Sequence, residues 1–197
     1  MRIGLIGKIG SGKTTCASIM VDRLGHSISK RTSLAKRLKE LCHELFPMLK
    51  TKKDRKMFIT FGEKMREIDE NVWVRSVLKE IQNNPNIKHW VVDDVRRENE
   101  YNILKENGFI FVRLNVNEHI RQLRLLKLYK EDVNTQHTIF DNHITETELS
   151  NTIVDYTFGI NEFNEINQKK QLEKCVDDFL STTCHQKNNN YMQLPIP

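Results

Sequence analysis

The sequence predicts a three-layer α/β fold, a mostly parallel sheet with helices on both faces. Three observations carry that expectation. An apolar run at the amino terminus, Met1–Ile6, passes through a glycine-rich loop directly into a helical stretch. Further apolar runs of strand length then alternate with amphipathic stretches of helix length. The chain has 197 residues, enough for one substantial core, so these elements belong to a single domain.

The loop is Gly7-Lys-Ile-Gly-Ser-Gly-Lys-Thr14, which fits G-x-x-x-x-G-K-[ST], the phosphate-binding pattern. Its physics explains its residues. Gly7, Gly10 and Gly12 carry no side chain, so the backbone, with Ile9, Ser11 and Thr15, can wrap a polyphosphate and aim its N–H groups inward. The helix opening at about Gly12 adds the positive end of its dipole. Lys13 is placed to reach the β- and γ-phosphates, and the Thr14 hydroxyl to ligate Mg²⁺. The flanking strand and helix argue against a mere glycine turn with a solvated lysine. A three-layer P-loop NTPase fold using ATP and Mg²⁺ is therefore expected.

The remaining elements follow in order. Thr15–Leu24 continues the first helix, and His26–Ser29 reads as a short second strand. Ser33 to Phe46 is an amphipathic helix stopped by Pro47, with Leu34, Ala35, Leu38, Leu41 and Leu45 as its apolar stripe. Its wet face carries Lys36, Arg37, Lys39 and Glu40. A lysine-rich turn, Lys50–Arg55, leads through Met57–Phe61 to a helix over Asn71–Gln82, with Val74, Val77, Leu78 and Ile81 buried. This block is long for a simple crossover and has room to hold a second substrate. Ile87–Asp94 is the next strand, ending in paired carboxylates, and Arg96–Asn107 a helix closed by Gly108. Phe109–Asn115 is a strand, Glu118–Leu128 a helix, Tyr129–His143 a polar flap, Asn151–Phe158 a last strand and Ile166–Leu180 a final helix. The domain is thus expected over 1–180, with a helical acceptor insert at about 32–84 and a lid at about 129–145. The polar tail, 181–197, has little to bury and reads as disordered.

Apolar residues make up 38% and charged residues 29%, the balance of a soluble protein with a polar surface. The net charge of +5 is spread along the chain, which suits anionic small molecules and predicts no stable nucleic-acid partner. Cys16, Cys42, Cys175 and Cys184 show no metal-ligand spacing and read as reduced thiols. The first strand starts at the first residue and no apolar run has membrane-spanning length, so a cytoplasmic protein without membrane contact is expected. A second copy of the chain, giving a homodimer, is a further candidate partner.

The loop alone leaves several classes open. The Asn-Lys-x-Asp signature of signalling GTPases does not occur, and motors and helicases need more sequence. A small-molecule kinase with the layout of the nucleoside monophosphate kinases remains. Asp94-Val-Arg-Arg-Glu-Asn-Glu100 resembles the D-V-R-x-x-N-E signature of the deoxynucleoside monophosphate kinases of phages and large DNA viruses. Leu34-Ala-Lys-Arg-Leu-Lys-Glu40 resembles that family's F-A-D-P-L-K-E, with Lys36-Arg37 in place of Asp-Pro. Phe61-Gly-Glu-Lys-Met-Arg-Glu-Ile-Asp69 with Trp73-Val74 resembles its F-G-x-x-x-R-E-I-D…W-V block. Phe111-Val-Arg113 is similar to V-V-R, and His143-Ile-Thr-Glu146 to H-x-S-E with Thr145 for Ser. Animal-type phosphomevalonate kinases share the Asp-x-Arg-Arg pattern and stay as the nearest rival; a non-catalytic nucleotide switch is the third reading.

The resemblance implies transfer of the γ-phosphoryl group of ATP to a deoxynucleoside monophosphate (dNMP), giving the diphosphate. It implies Lys39, Arg66, Trp73, Asp94 and Arg96 at the acceptor, and Thr14 with Asp94 at the metal. Asp94 is preferred to Asp93 because it fills the family's Asp, against the reading of Asp94 as a helix cap. Arg66 and Arg96, with Arg75 and Arg97 as lesser candidates, suit a phosphate dianion by bidentate geometry. Arg121 and Arg124 share one face of the helix before the flap and are expected, with Lys13, to stabilise the transferring phosphoryl group, Lys127 extending their row. Trp73 and Phe61 could line the acceptor pocket or pack in the core. A phosphate acceptor needs no general base, and none is evident.

Overall fold

A computed structural model describes residues 1–48, 55–128 and 148–191. The lysine-rich turn over 50–54, the flap with His143, and the last six residues of the tail lie outside the described residues. The elements are β1 (Arg2–Ile6), α1 (Lys13–Leu24), β2 (Ser29–Thr32), α2 (Leu34–Leu45), α3 (Arg55–Ile68), α4 (Val72–Gln82), β3 (His89–Val92), α5 (Glu98–Glu106), β4 (Ile110–Val116), α6 (Glu118–Leu128), β5 (Tyr156–Ile160) and α7 (Glu165–Tyr191).

The five strands are parallel throughout and lie in the order β2-β3-β1-β4-β5. The three inner strands, β3, β1 and β4, are buried on both faces for most of their length, which is why they read as near-continuous apolar runs, while the edge strands β2 and β5 are only partly buried. Alternation of side chains sorts them into two cores. Ile3, Leu5, Val91, Val112 and Leu114 meet Cys16, Met20, Val176 and Phe179 of α1 and α7. Ile6, Trp90, Val92 and Phe111 point the other way, toward α2, α4 and α5. The three expected layers are therefore present. The chain leaves β1 to one side and passes to the other after β3, so the carboxyl edge around β1 is where such sheets bind ligands.

Several details differ from the sequence reading. Met57–Phe61 lies within α3, whose Phe58, Phe61 and Met65 pack on the second core. Strand β2 sits three residues later than expected because 26–28 form a turn. On α2 the buried stripe is Leu34, Leu38 and Cys42, leaving Leu45 58% exposed. β5 starts at Tyr156, and α7 runs on through the expected tail to Tyr191. Among the described residues no helix is long and apolar enough to cross a membrane.

Candidate active site

The glycine loop joins β1 to α1 at the carboxyl edge, and its backbone explains its composition. Gly7 has φ 154°, and a Cβ there would stand 2.9 Å from both the Leu114 carbonyl oxygen and Ser11 Oγ. Gly12, the residue before α1, has φ 91°, a left-handed conformation that other residues adopt only with strain. Lys13 is 7% exposed and folds back, its ammonium donating to the carbonyls of Gly7 and Lys8. Ser11 Oγ is buried inside the cradle without a hydrogen-bond partner among the described residues. Thr14 and Thr15 are exposed at the start of α1.

The paired carboxylates divide their work by parity. Val91 faces α1, so Asp93, two residues on, falls on the same side, and its carboxylate meets the Thr14 hydroxyl. Asp93 is 7% exposed; burial and the neighbouring Asp94 push its pKa up, while Thr14, Arg31 and Lys13 pull against them. Arg31 Nε stands 3.8 Å from it. Asp94 turns to the opposite face. There it accepts hydrogen bonds from the amides of Leu34 (2.7 Å) and Ala35 (3.0 Å), capping α2, whose own Ser33 supplies no side-chain cap. The sequence reading put Asp94 at the metal; the carboxylate beside Thr14 is Asp93, and Asp94 caps a helix distant in sequence.

The arginines also have protein partners. Arg66 donates to Glu63 (3.1 Å) and to Glu100 (3.2 Å), while Arg97 donates to both oxygens of Glu63 at 2.7 Å. Glu100 is 2% exposed and accepts from the amides of Arg96 and Arg97, each at 3.1 Å; burial raises its pKa against the pull of these donors. Arg75 pairs with Asp69. Trp73 is 2% exposed in the core, its indole N–H on the Gly62 carbonyl at 3.3 Å, so it packs under α3. Lys39 is exposed on α2.

Arg121 and Arg124 reach the loop rather than open solvent. Arg121, 2% exposed, donates to the Ile9 carbonyl at 3.3 Å and to Glu118 at 2.9 and 2.5 Å. Arg124 donates to the Gly10 carbonyl at 3.0 Å and to Gln168 at 2.7 Å, and burial lowers its pKa. Lys127 pairs with Glu165 on α7. Cys16, three residues past Lys13, has its thiol pushed up to about 12 by burial, then by Cys175, so it offers no thiolate nucleophile here.

Beside the loop lies a cavity of about 570 Å³ whose lining includes Lys8, Ser11, Arg96, Arg113 and Arg121. Arg113 spends its guanidinium on the carbonyls of Leu149, Ser150 and Thr152, each at 2.7 Å. Glu63, Glu100, Glu118 and Gln168 were not given roles from sequence; an acidic partner three or four residues from an arginine is the signal that could have found Glu63 and Glu118.

Comparison with known proteins gives three findings. Residues 3–151 match the family model described as an AAA domain. A segment of 44 residues is 59% identical to a protein of Acanthamoeba polyphaga mimivirus provisionally named a deoxynucleotide monophosphate kinase, covering 22% of this chain and 21% of that one. The match thus spans about a fifth of that curated relative. Among solved structures, shikimate kinase from Bacteroides thetaiotaomicron superposes with a TM-score of 0.56 at 20% identity, covering 92% of this chain and 98% of that one. A gluconokinase from Sinorhizobium meliloti 1021 gives 0.54 at 12% identity, with 94% and 96% covered. At these identities the likeness is one of fold.

Proposed function

The chain belongs to the AAA domain family, and from that premise we propose that it is a phosphotransferase moving the γ-phosphoryl group of ATP to a deoxynucleoside monophosphate. The observation that carries the reading is the glycine cradle with Lys13 inside it, opening beside a cavity lined by Lys8, Arg96 and Arg121. Such a site takes one anion in the loop and a second alongside. The mimivirus relative supports a nucleotide as the second.

Backbone amides and the α1 dipole bind and orient the donor phosphates, with Lys13 released from the carbonyls of Gly7 and Lys8 to neutralise their charge. The unpartnered Ser11 hydroxyl fits a cradle that a phosphate oxygen completes. Thr14 and Asp93 present the hard oxygen donors that Mg²⁺ favours, and the ion when bound would supply electrostatic neutralisation of the polyphosphate. The acceptor phosphate is already ionised near neutral pH, so alignment replaces general-base catalysis. Glu118 lines the cavity but is held by Arg121, which keeps it from acting as a base.

A coupled assay for diphosphate, offering each dNMP and then phosphomevalonate, tests the proposal. Turnover is expected with at least one dNMP, falling about 10²–10³-fold in Lys13→Ala. Turnover of phosphomevalonate alone, or a fully active Lys13→Ala, would refute it.

A further inference from the structure

We propose that Arg121 and Arg124 are positioning residues that hold the phosphate loop in its anion-binding form from behind, through the carbonyls of Ile9 and Gly10. The proposal rests on the nucleotide-binding reading above and assigns these arginines a role different from contact with the transferring phosphoryl group.

A loop that aims its N–H groups inward must aim carbonyls outward, and an outward carbonyl buried without a donor is destabilising. Helix α6 supplies those donors. Arg121 Nη1 reaches the Ile9 carbonyl at 3.3 Å, and Arg124 Nη1 the Gly10 carbonyl at 3.0 Å. The two guanidinium groups are themselves fixed. Glu118 takes Nε and Nη2 of Arg121, and Gln168 of α7 takes Nη2 of Arg124 at 2.7 Å. Gln168 is 8% exposed and donates onward to the Phe163 carbonyl at 3.1 Å, so this arm of the bracket is anchored outside α6.

Close packing between loop and helix is a separate observation pointing the same way. A Cβ on Gly10 would stand 3.3 Å from Arg121 Cγ and from Leu125, and one on Gly12 would stand 3.4 Å from Arg124 Nη1. The glycines therefore admit α6 on the outer side as well as phosphate on the inner side. Two cations behind the loop also add to the positive potential felt by an anion in front of it.

The test is calorimetric binding of ADP and of ATP to the full chain, with acceptor KM and thermal melts alongside. Because the bracket acts on the loop, Arg124→Met is expected to weaken both nucleotides equally, about tenfold, the loss of one charge-assisted bond. Gln168→Ala, which leaves both arginines in place, weakens both about threefold, and Arg124→Lys, with one ammonium in place of the fork, recovers only part of the loss. Acceptor KM stays unchanged, melting without nucleotide falls by about 3–6 °C for the lost bond, and the nucleotide-induced rise shrinks as well. Unchanged ADP affinity with loss confined to ATP or to kcat overturns the proposal, because the arginine then acts at the γ-phosphoryl group. Wild-type binding of both nucleotides in both variants overturns it too. A wild-type chain that binds neither nucleotide removes the nucleotide reading itself.

Discussion

Replacing the two adjacent carboxylates one at a time separates their roles. Asp94 accepts from two amides of α2 across the fold, at 2.7 and 3.0 Å. Charge-assisted caps of this kind are worth about 2 kcal/mol. In a chain of 197 residues, 2 kcal/mol lowers Tm by about 4–8 °C, so Asp94→Ala should melt that much earlier and keep most of its turnover. Asp93 is the reverse case. Its folded pKa lies above its unfolded value, so its contribution to stability is present below the unfolded pKa and is lost as pH rises through the folded one. At neutral pH the buried charge is a net burden, and Asp93→Asn should leave Tm unchanged or raise it. The same substitution removes the charge beside Thr14 and should lower turnover by about 10²–10³. Differential scanning calorimetry and the coupled assay read the two effects separately. If Asp94→Ala abolished turnover at unchanged Tm while Asp93→Asn stayed active, the parity argument would be wrong.

Two further outcomes follow from the charged networks. Arg66→Met leaves the Glu100 carboxylate, 3% exposed, without its guanidinium partner and should cost about 3–5 kcal/mol; adding Glu100→Gln should recover most of this by urea denaturation, whereas additive losses would deny the coupling. Burial pushes Glu80 up, but hydrogen bonds from Lys36 and Thr32 (2.6 Å each) and the Lys30 ammonium (2.9 Å) outweigh it and bring its pKa to about 2. Its stabilisation is therefore present above the ordinary carboxylate range and lost as pH falls toward 2. Glu80→Gln should cost about 2 kcal/mol at pH 7, a gap that closes through pH 4.5 to 2 in melts of the two proteins and refutes the linkage if it persists.

Much of the architecture was legible because local and long-range signals agree. Helix α6 occupies the stretch read from sequence, Glu118–Leu128, and Gly108 follows α5 with a positive φ of 75°. Strand β2 was displaced because Ser29-Lys-Arg-Thr32 carries no apolar run; Lys30 faces Glu80 and Arg31 faces Asp93, so charges occupy the places where the pattern seeks apolar residues. Helix α3 escaped because the apolar cluster Met57–Phe61 masks the wider spacing of Phe58, Phe61 and Met65. The start of β5 was placed too early, since Arg113 takes the Thr152 carbonyl that a ladder would have used. The choice between Asp93 and Asp94 could not be read from pattern. A strand buried on both faces has no polar side to mark its parity, so which carboxylate meets Thr14 is decided by the register of β3 against β1.

The arginines teach a different lesson about sequence. A guanidinium binds carboxylate, carbonyl and phosphate with the same forked geometry, so residue type cannot say which of them it meets. Arg66 and Arg97 meet Glu63, with Glu100 completing the set for Arg66, while Arg121 and Arg124 meet loop carbonyls. Their charge still counts. Arg121, almost fully buried, donates to an outward loop carbonyl that must stay outward for the N–H groups to face a phosphate. A cation can therefore favour an anion site without touching the anion, by fixing the backbone that does. If that is how this site works, neutral donors able to hold the carbonyls of Ile9 and Gly10 should preserve more phosphate affinity than cations that cannot reach them.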